Sequence, residues 1–198
     1  MTHQPKYCLF YDNHTMKAVP DVGKNFDADA FTDRVKRCGV DYLIFHARCN
    51  QGLAYYDTGI GTKHPSLRYD LFGSLSDACK KKGIALAAYF NAGISSEEGL
   101  LYRDLTTLYF DGRSLREPRL TPHVRTMCYN SGYRDHLISM VKEVVSNYAI
   151  AGLMIDCLIS YPCVCPVCVK GMKDKGIDWS DPDSVTSFCE ASALRLVK

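Results

Sequence analysis

The sequence lacks the features that mark several large classes of protein. No apolar run reaches the length of about 18 residues that a membrane span needs. Residues 1–15 have no apolar core of the kind that a signal peptide carries. The formal net charge is only +2 over 198 residues, whereas dedicated nucleic-acid binders are usually far more basic. We therefore expect a cytoplasmic protein that binds neither nucleic acid nor a membrane.

Nucleotide-binding fingerprints are also missing. No G-x-G-x-x-G follows the first strand-like run, and no P-loop occurs, which disfavours a dinucleotide-binding fold. With 46% hydrophobic and 23% charged residues, the composition is that of an ordinary globular protein. The length is sufficient for a sizeable core, so residues 1–198 are expected to form a single domain.

Cysteine, by contrast, is abundant, with ten in the chain. Four of them, Cys8, Cys38, Cys79 and Cys157, lie in or beside apolar strand-like or helical patterns and are expected to be small core residues.

The C-x-C-x-x-C group is different, because helix or strand periodicity does not explain it. Cys163, Cys165 and Cys168 can converge on one soft ion, for which zinc is the usual choice. A tetrahedral site needs a fourth ligand from elsewhere in the chain. Local disulfides or a redox pair are the alternatives; without a signal peptide disulfides are less expected, and a thioredoxin-type pair needs no third cysteine. The sequence thus predicts a metal-binding loop over residues 159–180.

Strand-like and helix-like segments alternate along the chain. The expected strands are residues 7–11, 40–47, 84–90 and 151–158. The expected helices are residues 27–38, a segment from Leu71 to Lys82, a segment containing Leu137–Tyr148, and one from about Pro182 to the end. A hairpin is expected over 106–115, around an Asp111-Gly112 turn.

Apolar strands joined by helices predict an α/β fold with a parallel sheet covered on both faces. A (β/α)₈ barrel of TIM type typically needs about 250 residues. The length predicts either the N-terminal half to two-thirds of such a barrel or a sheet that stays open.

Polar side chains follow all four expected strands, where chemistry is placed in parallel α/β folds. The candidate substrate-binding residues are His14, His46, Arg48, Asn50, Tyr89 and Asn91. Asp156 stands out, because a carboxylate in an otherwise apolar run is costly unless it is paired or used. It is either a structural aspartate bonded to a neighbouring arginine or backbone group, or a catalytic carboxylate.

The block from Phe26 to Thr58 resembles the second strand region of alpha-L-fucosidases, which carry a K-H-H-D-G-F-x-x-W-x-S pattern there. The glycine, phenylalanine, tryptophan and serine positions are held by Gly52, Leu53, Tyr55 and Thr58. The basic and histidine positions differ, so the fucose-binding set is not carried over. Residues 70–89 are similar to the next helix–strand unit, and the resemblance implies that Asp156 takes the nucleophile's position.

Residues 128–134 resemble the C-P-N-S-P-x-Y-R segment of zinc-containing beta-galactosidases. In those enzymes this cysteine and a later C-x-C-x-x-C trio hold a structural zinc. The resemblance implies the ligand set Cys128, Cys163, Cys165 and Cys168. Over roughly residues 7–180 the chain resembles a hypothetical glycosyl hydrolase group related to both families.

The resemblances imply a glycoside hydrolase, of retaining type, with Asp156 as nucleophile, a structural zinc and a carbohydrate substrate. Two alternatives stay open: a carbohydrate-binding module without turnover, and a zinc-stabilised assembly domain that pairs with further copies. Hydrolysis usually needs two carboxylates, and the candidates for the second are Asp12, Asp57, Glu97 and Glu98.

Overall fold

The computed structural model describes residues 4–114 and 124–197. These residues divide into two compact units. The first contains the described residues up to Cys49, together with Leu53–Phe90 and Ser139–Asp156. The second contains Asn50–Gly52, the described residues of Asn91–Ile138, and those from Cys157 onward.

The strands are β1 (Cys8–Tyr11), β2 (Tyr42–Arg48), β3 (Leu53–Ala54), β4 (Thr62–Lys63), β5 (Ala85–Asn91) and β6 (Gly152–Asp156). The helices are α1 (Ala28–Arg37), α2 (Leu71–Lys82), α3 (Ser96–Leu101), α4 (Tyr133–Asn147), α5 (Pro166–Lys173) and α6 (Pro182–Leu194), with one 3₁₀ turn at Arg103–Leu105.

One sheet contains the described strands, in the order β4-β3-β2-β5-β6, with β1 paired to β2. The pairs β1–β2 and β2–β5 are parallel. The four expected strands are therefore β1, β2, β5 and β6, which lie side by side in chain order. An α/β fold with a parallel sheet is confirmed. Over residues 4–114 and 124–197 the sheet is open, and its being part of a TIM-type barrel stays a prediction.

The expected helices form where their end signals predict them. The Asp27 carboxylate accepts a hydrogen bond from the Ala30 amide at 2.9 Å, and so caps α1. Helix α2 ends at Gly83, whose φ of 63° is the left-handed conformation that favours glycine. Asp181 caps α6 in the same way as Asp27 caps α1, by accepting from the Ser184 amide at 3.0 Å.

The hairpin predicted for residues 106–115 is wrong over its described part; residue 115 lies outside the described residues. The tight turn exists, since the Tyr109 amide donates to the Arg113 carbonyl at 2.9 Å. The segment before the turn pairs with a distant one instead, because Thr106 bridges Met127. The predicted metal-binding loop, residues 159–180, also contains a helix that the sequence pattern does not predict, α5.

The cysteine predictions are only partly correct. Cys79 is buried in α2, but Cys8 and Cys38 are exposed. Cys8 begins β1, whose first residue is open to solvent, and Cys38 follows the last turn of α1. Among the described residues, no helix is long and apolar enough to cross a membrane.

Candidate active site and candidate metal centre

Asp156 is the last residue of β6, and its carboxylate is held by a tyrosine of the neighbouring strand. The Tyr89 hydroxyl donates to Asp156 Oδ2 at 2.6 Å. Tyr89 lies in β5 and is fully buried. A phenol–carboxylate contact of this length is a charge-assisted hydrogen bond, which fixes the orientation of the carboxylate.

Aromatic rings from three strands and one loop form a layer beside this pair. The His46 ring stacks on the Tyr89 ring, with centroids 4.0 Å apart and planes 17° apart. Phe10 of β1 stacks against both, at 5.6 Å and 5.2 Å. His14 meets the His46 ring edge-on at 4.5 Å. The structure thus brings His14, His46, Tyr89 and Asp156 together, as predicted from the ends of the strands.

The fully buried imidazole of His46 is neutral. Burial lowers the pKa of His46 from 6.5 to about 3; the charge of His14 adds to this, and that of Asp156 opposes it. Within the described chain, Nδ1 of His46 has no hydrogen-bond partner, whereas Nε2 lies 3.1 Å from Asp12 Oδ1. A buried N–H group without an acceptor costs about 1–3 kcal/mol. The Asn13 amide also points towards Nε2, at the longer distance of 3.5 Å. Because the closer Asp12 carboxylate can only accept, the proton is assigned to Nε2, which donates it to Asp12.

Asp12, His14 and His46 also have the composition of a divalent-metal site, with ligand atoms within 4.8 Å of one another. Metal on His46 Nε2 would shift the proton to Nδ1, and metal-bound histidines normally donate that second N–H to an acceptor. The described surroundings of Nδ1 contain no such acceptor. This cluster therefore fits hydrogen bonding to a polar ligand better than metal binding.

Tyr55 fixes the loop that carries His14. Its hydroxyl donates to the Asn13 carbonyl at 2.9 Å and accepts from the Thr15 amide at 3.1 Å, so it contacts the residues on both sides of His14. Tyr55 is fully buried, and burial raises the pKa of its hydroxyl. Tyr55 holds the tryptophan position of the fucosidase pattern, and the structure shows that it acts through its hydroxyl.

The structure also describes the surroundings of the other three predicted substrate-binding residues. Arg48 is fully buried at the end of β2, next to a register shift between His46 and Arg48. Asn50 and Asn91 belong to the second unit. The Asn50 side chain accepts from Gln51 at 3.0 Å. Asn91 donates to Cys157 Sγ at 3.3 Å and accepts from the Ile94 amide at 3.0 Å, so its amide holds the turn after β5.

Four buried cysteines of the second unit converge as the zinc resemblance implies. The sulfurs of Cys128, Cys163, Cys165 and Cys168 lie within 4.8 Å of one another. Cys128 Sγ is 3.8 Å from Cys165 Sγ and 3.5 Å from Cys168 Sγ. A tetrahedral site with zinc–sulfur bonds of about 2.3 Å places its sulfurs about 3.8 Å apart. All four thiols are free of disulfide bonds.

Hydrogen bonds among the four thiols divide their pKa values, raising those of Cys128 and Cys168 and lowering those of Cys163 and Cys165. The thiolate is the metal-binding form of cysteine. Hydrogen bonding from Cys128 is the main cause that holds the pKa of Cys165 far below its usual range. The same partner is the main cause that lowers the pKa of Cys163. Cys165 also precedes α5, whose N-terminus favours negative charge. The chemistry and spacing of the donor set therefore fit a structural zinc ion.

Comparisons with known proteins place the fold. Residues 27–157 match the model of a family described as hypothetical glycosyl hydrolase 6. The match includes Cys128 and Asp156 but ends before the C-x-C-x-x-C trio. No curated protein sequence matches the chain significantly.

Solved structures with the same fold include two alpha-L-fucosidases. Isoenzyme 2 from Paenibacillus thiaminolyticus is 24% identical and has a TM-score of 0.87, over 96% of this chain and 29% of that one. The Thermotoga maritima alpha-fucosidase, solved with a mechanism-based inhibitor, is 22% identical, with a TM-score of 0.51, over 68% and 29%. The chain thus spans less than a third of the length of either enzyme.

Proposed function

The chain belongs to the hypothetical glycosyl hydrolase 6 family, and on this basis we propose that it provides the nucleophile region of a retaining glycoside hydrolase. The substrate is a carbohydrate, and Asp156 is the attacking carboxylate. The observation that carries the proposal is the 2.6 Å hydrogen bond between Tyr89 and Asp156 at the end of the sheet.

The surroundings of Asp156 suit a nucleophile. In a retaining hydrolase the carboxylate attacks the anomeric carbon, and the glycosyl ester that forms is then hydrolysed by water. Attack needs the carboxylate ionised and aimed, and the Tyr89 hydroxyl supports both by donating to Oδ2. The partly exposed His14 offers a ring edge for sugar hydroxyls beside it, while the N–H group of the buried, neutral His46 is donated to Asp12.

A retaining enzyme also needs a carboxylic acid about 5–5.5 Å from the nucleophile, which protonates the leaving oxygen. Asp12 is the candidate of the first unit that contacts this ring layer, through His14 and His46 at 3.1 Å each. Asp57, a second candidate, is instead paired with Lys63 at 2.5 Å. In the second unit, the buried carboxylate of Glu98 accepts from Ser95 at 2.7 Å and contacts His136 at 3.0 Å.

The test uses a panel of nitrophenyl glycosides, whose leaving group departs with little help from an acid. Asp156→Asn should lower kcat/KM at least about 10³-fold on the sugar that is cleaved. Tyr89→Phe should lower it about 10- to 150-fold, because a hydrogen bond to a charged group contributes about 1.5–3 kcal/mol. Asp33→Asn is the matched control, because Asp33 is an exposed aspartate of α1 that pairs with Lys82, and it should retain wild-type activity.

Two results would contradict the proposal. Equal rates for the wild type and Asp156→Asn would rule out the nucleophile assignment. Saturable sugar binding without turnover on any glycoside of the panel would favour a carbohydrate-binding module of the same fold.

We propose further that Cys128, Cys163, Cys165 and Cys168 hold one structural zinc ion. When bound, the ion cross-links the segment before α4 to the segment around α5. Metal analysis of protein purified without chelator should give about one equivalent of zinc. Cys128→Ser should lose it, whereas Cys79→Ser, which alters a buried cysteine of the first unit, should retain it. Less than half an equivalent in the wild type would contradict the assignment.

A further inference from the structure

The last turn of α6 contacts the segment that carries Cys128. Arg195, directly after the helix, donates from its guanidinium to Asn130 Oδ1 at 2.6 Å. The hydroxyl of Ser192, one turn earlier, lies 2.7 Å from the same oxygen and is buried. On its other side, Asn130 Nδ2 lies 3.4 Å from Cys168 Sγ. One amide side chain thus bridges the C-terminal helix and a proposed metal ligand.

The chemistry of arginine fixes which end of this amide faces the sulfur. A guanidinium has N–H donors and no acceptor, so the atom 2.6 Å from Arg195 is the amide oxygen. The NH₂ group must then face Cys168 Sγ, towards which it can only donate. Ser192 supports the same orientation, because its hydroxyl can donate to that oxygen.

A donor at this position matters because of the charge that the site holds. A zinc ion with four thiolates carries a net charge of about −2, and these sulfurs are buried. Such charge requires surrounding hydrogen-bond donors. The Leu108 amide donates to Cys163 Sγ at 3.4 Å, and the Cys168 backbone donates to Cys165. Asn130 supplies a side-chain donor, in this case to Cys168 itself.

We infer that Asn130 is a positioning residue of the metal site, held in its donor orientation by Arg195 and Ser192, so that metal affinity depends on the C-terminal helix. This inference rests on the proposed zinc site. Outer-shell partners of metal ligands typically contribute about 10- to 100-fold in affinity.

The test is a titration of the metal-free protein with Co²⁺ and with Zn²⁺ against a competing chelator. Asn130→Asp preserves the size of the side chain but replaces the donor with a carboxylate, and should weaken binding at least about 10-fold. Asn130→Ala and Arg195→Gln should weaken it in the same direction. Lys170→Gln is the matched control. Lys170 is an exposed cation of α5, and its ammonium group contacts Asp174 rather than Asn130.

The cobalt–thiolate absorption provides a readout that altered folding alone does not give. A hydrogen bond to a thiolate lowers the energy of the sulfur electrons, so its loss should shift the charge-transfer band to longer wavelength at an unchanged stoichiometry of one. Wild-type affinity and band position in Asn130→Asp and Asn130→Ala would overturn the inference while leaving the zinc site intact. A wild-type protein that binds neither metal would overturn both.

Discussion

Acidification should destabilise the first unit through His46. The folded protein holds this imidazole neutral, because burial lowers its pKa from 6.5 to about 3. In the unfolded chain the same group takes up a proton near pH 6.5. Between these two values the unfolded state binds more protons than the folded state, so the free energy of unfolding falls as the pH falls. Well above pH 6.5, where His46 is neutral in both states, it does not lower the free energy of unfolding.

The size of the effect follows from the two pKa values. Each pH unit inside the window costs about 1.4 kcal/mol. Lowering the pH from 6.5 to 4.5 should therefore remove about 2 kcal/mol through His46 alone. The charge of Asp156 opposes the effect of burial, and its contribution is already contained in the pKa of about 3.

The measurement is urea unfolding at pH 4.5, 5.5 and 6.5, for the wild type and for His46→Gln. Glutamine retains an N–H donor towards Asp12 but does not titrate, so the variant should lose about 2 kcal/mol less than the wild type over this range. Val35→Ala is the control for lowered stability without a change in titration, since Val35 is a buried residue of α1. Parallel pH profiles for the wild type and His46→Gln would refute the reasoning.

Three further predictions concern single features. Tyr55→Phe should lower the free energy of unfolding by about 1–3 kcal/mol and speed amide exchange at Thr15, because its bonds to Asn13 and Thr15 are lost; unchanged exchange would contradict this. Gly83→Ala should cost about 1 kcal/mol in thermal or urea unfolding, because φ is 63°; no loss would contradict it. Chelation should lower hydrogen-exchange protection of α6 and leave that of α1 unchanged, and equal loss in both helices would contradict the proposed coupling.

The strands and long helices could be predicted because their signals are local. Apolar runs and i, i+3, i+4 spacing depend on neighbouring residues alone, and caps such as Asp27 and Asp181 lie next to the helices that they begin. The hairpin prediction failed for the complementary reason. A tight turn at Asp111-Gly112 is a local feature and forms, but whether its flanks pair with each other depends on competing partners. Thr106 finds its partner in Met127, far along the chain.

The same distinction governs the candidate active site. Parallel strands end at one edge, so His46, Tyr89 and Asp156 could be expected to meet there, and they do. In a strand, successive side chains point to opposite faces of the sheet, but this pattern does not show which group each polar side chain hydrogen-bonds to. Asn91 ends its strand as predicted, yet its amide is occupied by Cys157 and Ile94. Arg48 lies beside a register shift in the pairing of β2 with β5, which no local sequence pattern predicts.

One turn, residues 128–131, carries both a ligand of the proposed metal site and the cap of α4. The Ser131 amide donates to the Cys128 carbonyl at 3.1 Å, and the Ser131 hydroxyl donates to the same oxygen at 2.7 Å. That hydroxyl also accepts from the Tyr133 amide at 3.2 Å and so caps the start of α4. Asn130 lies between the two. The turn 128–131 therefore presents a proposed metal ligand, the donor to a second proposed ligand and a helix cap, so removal of a bound metal should also loosen the first turn of α4.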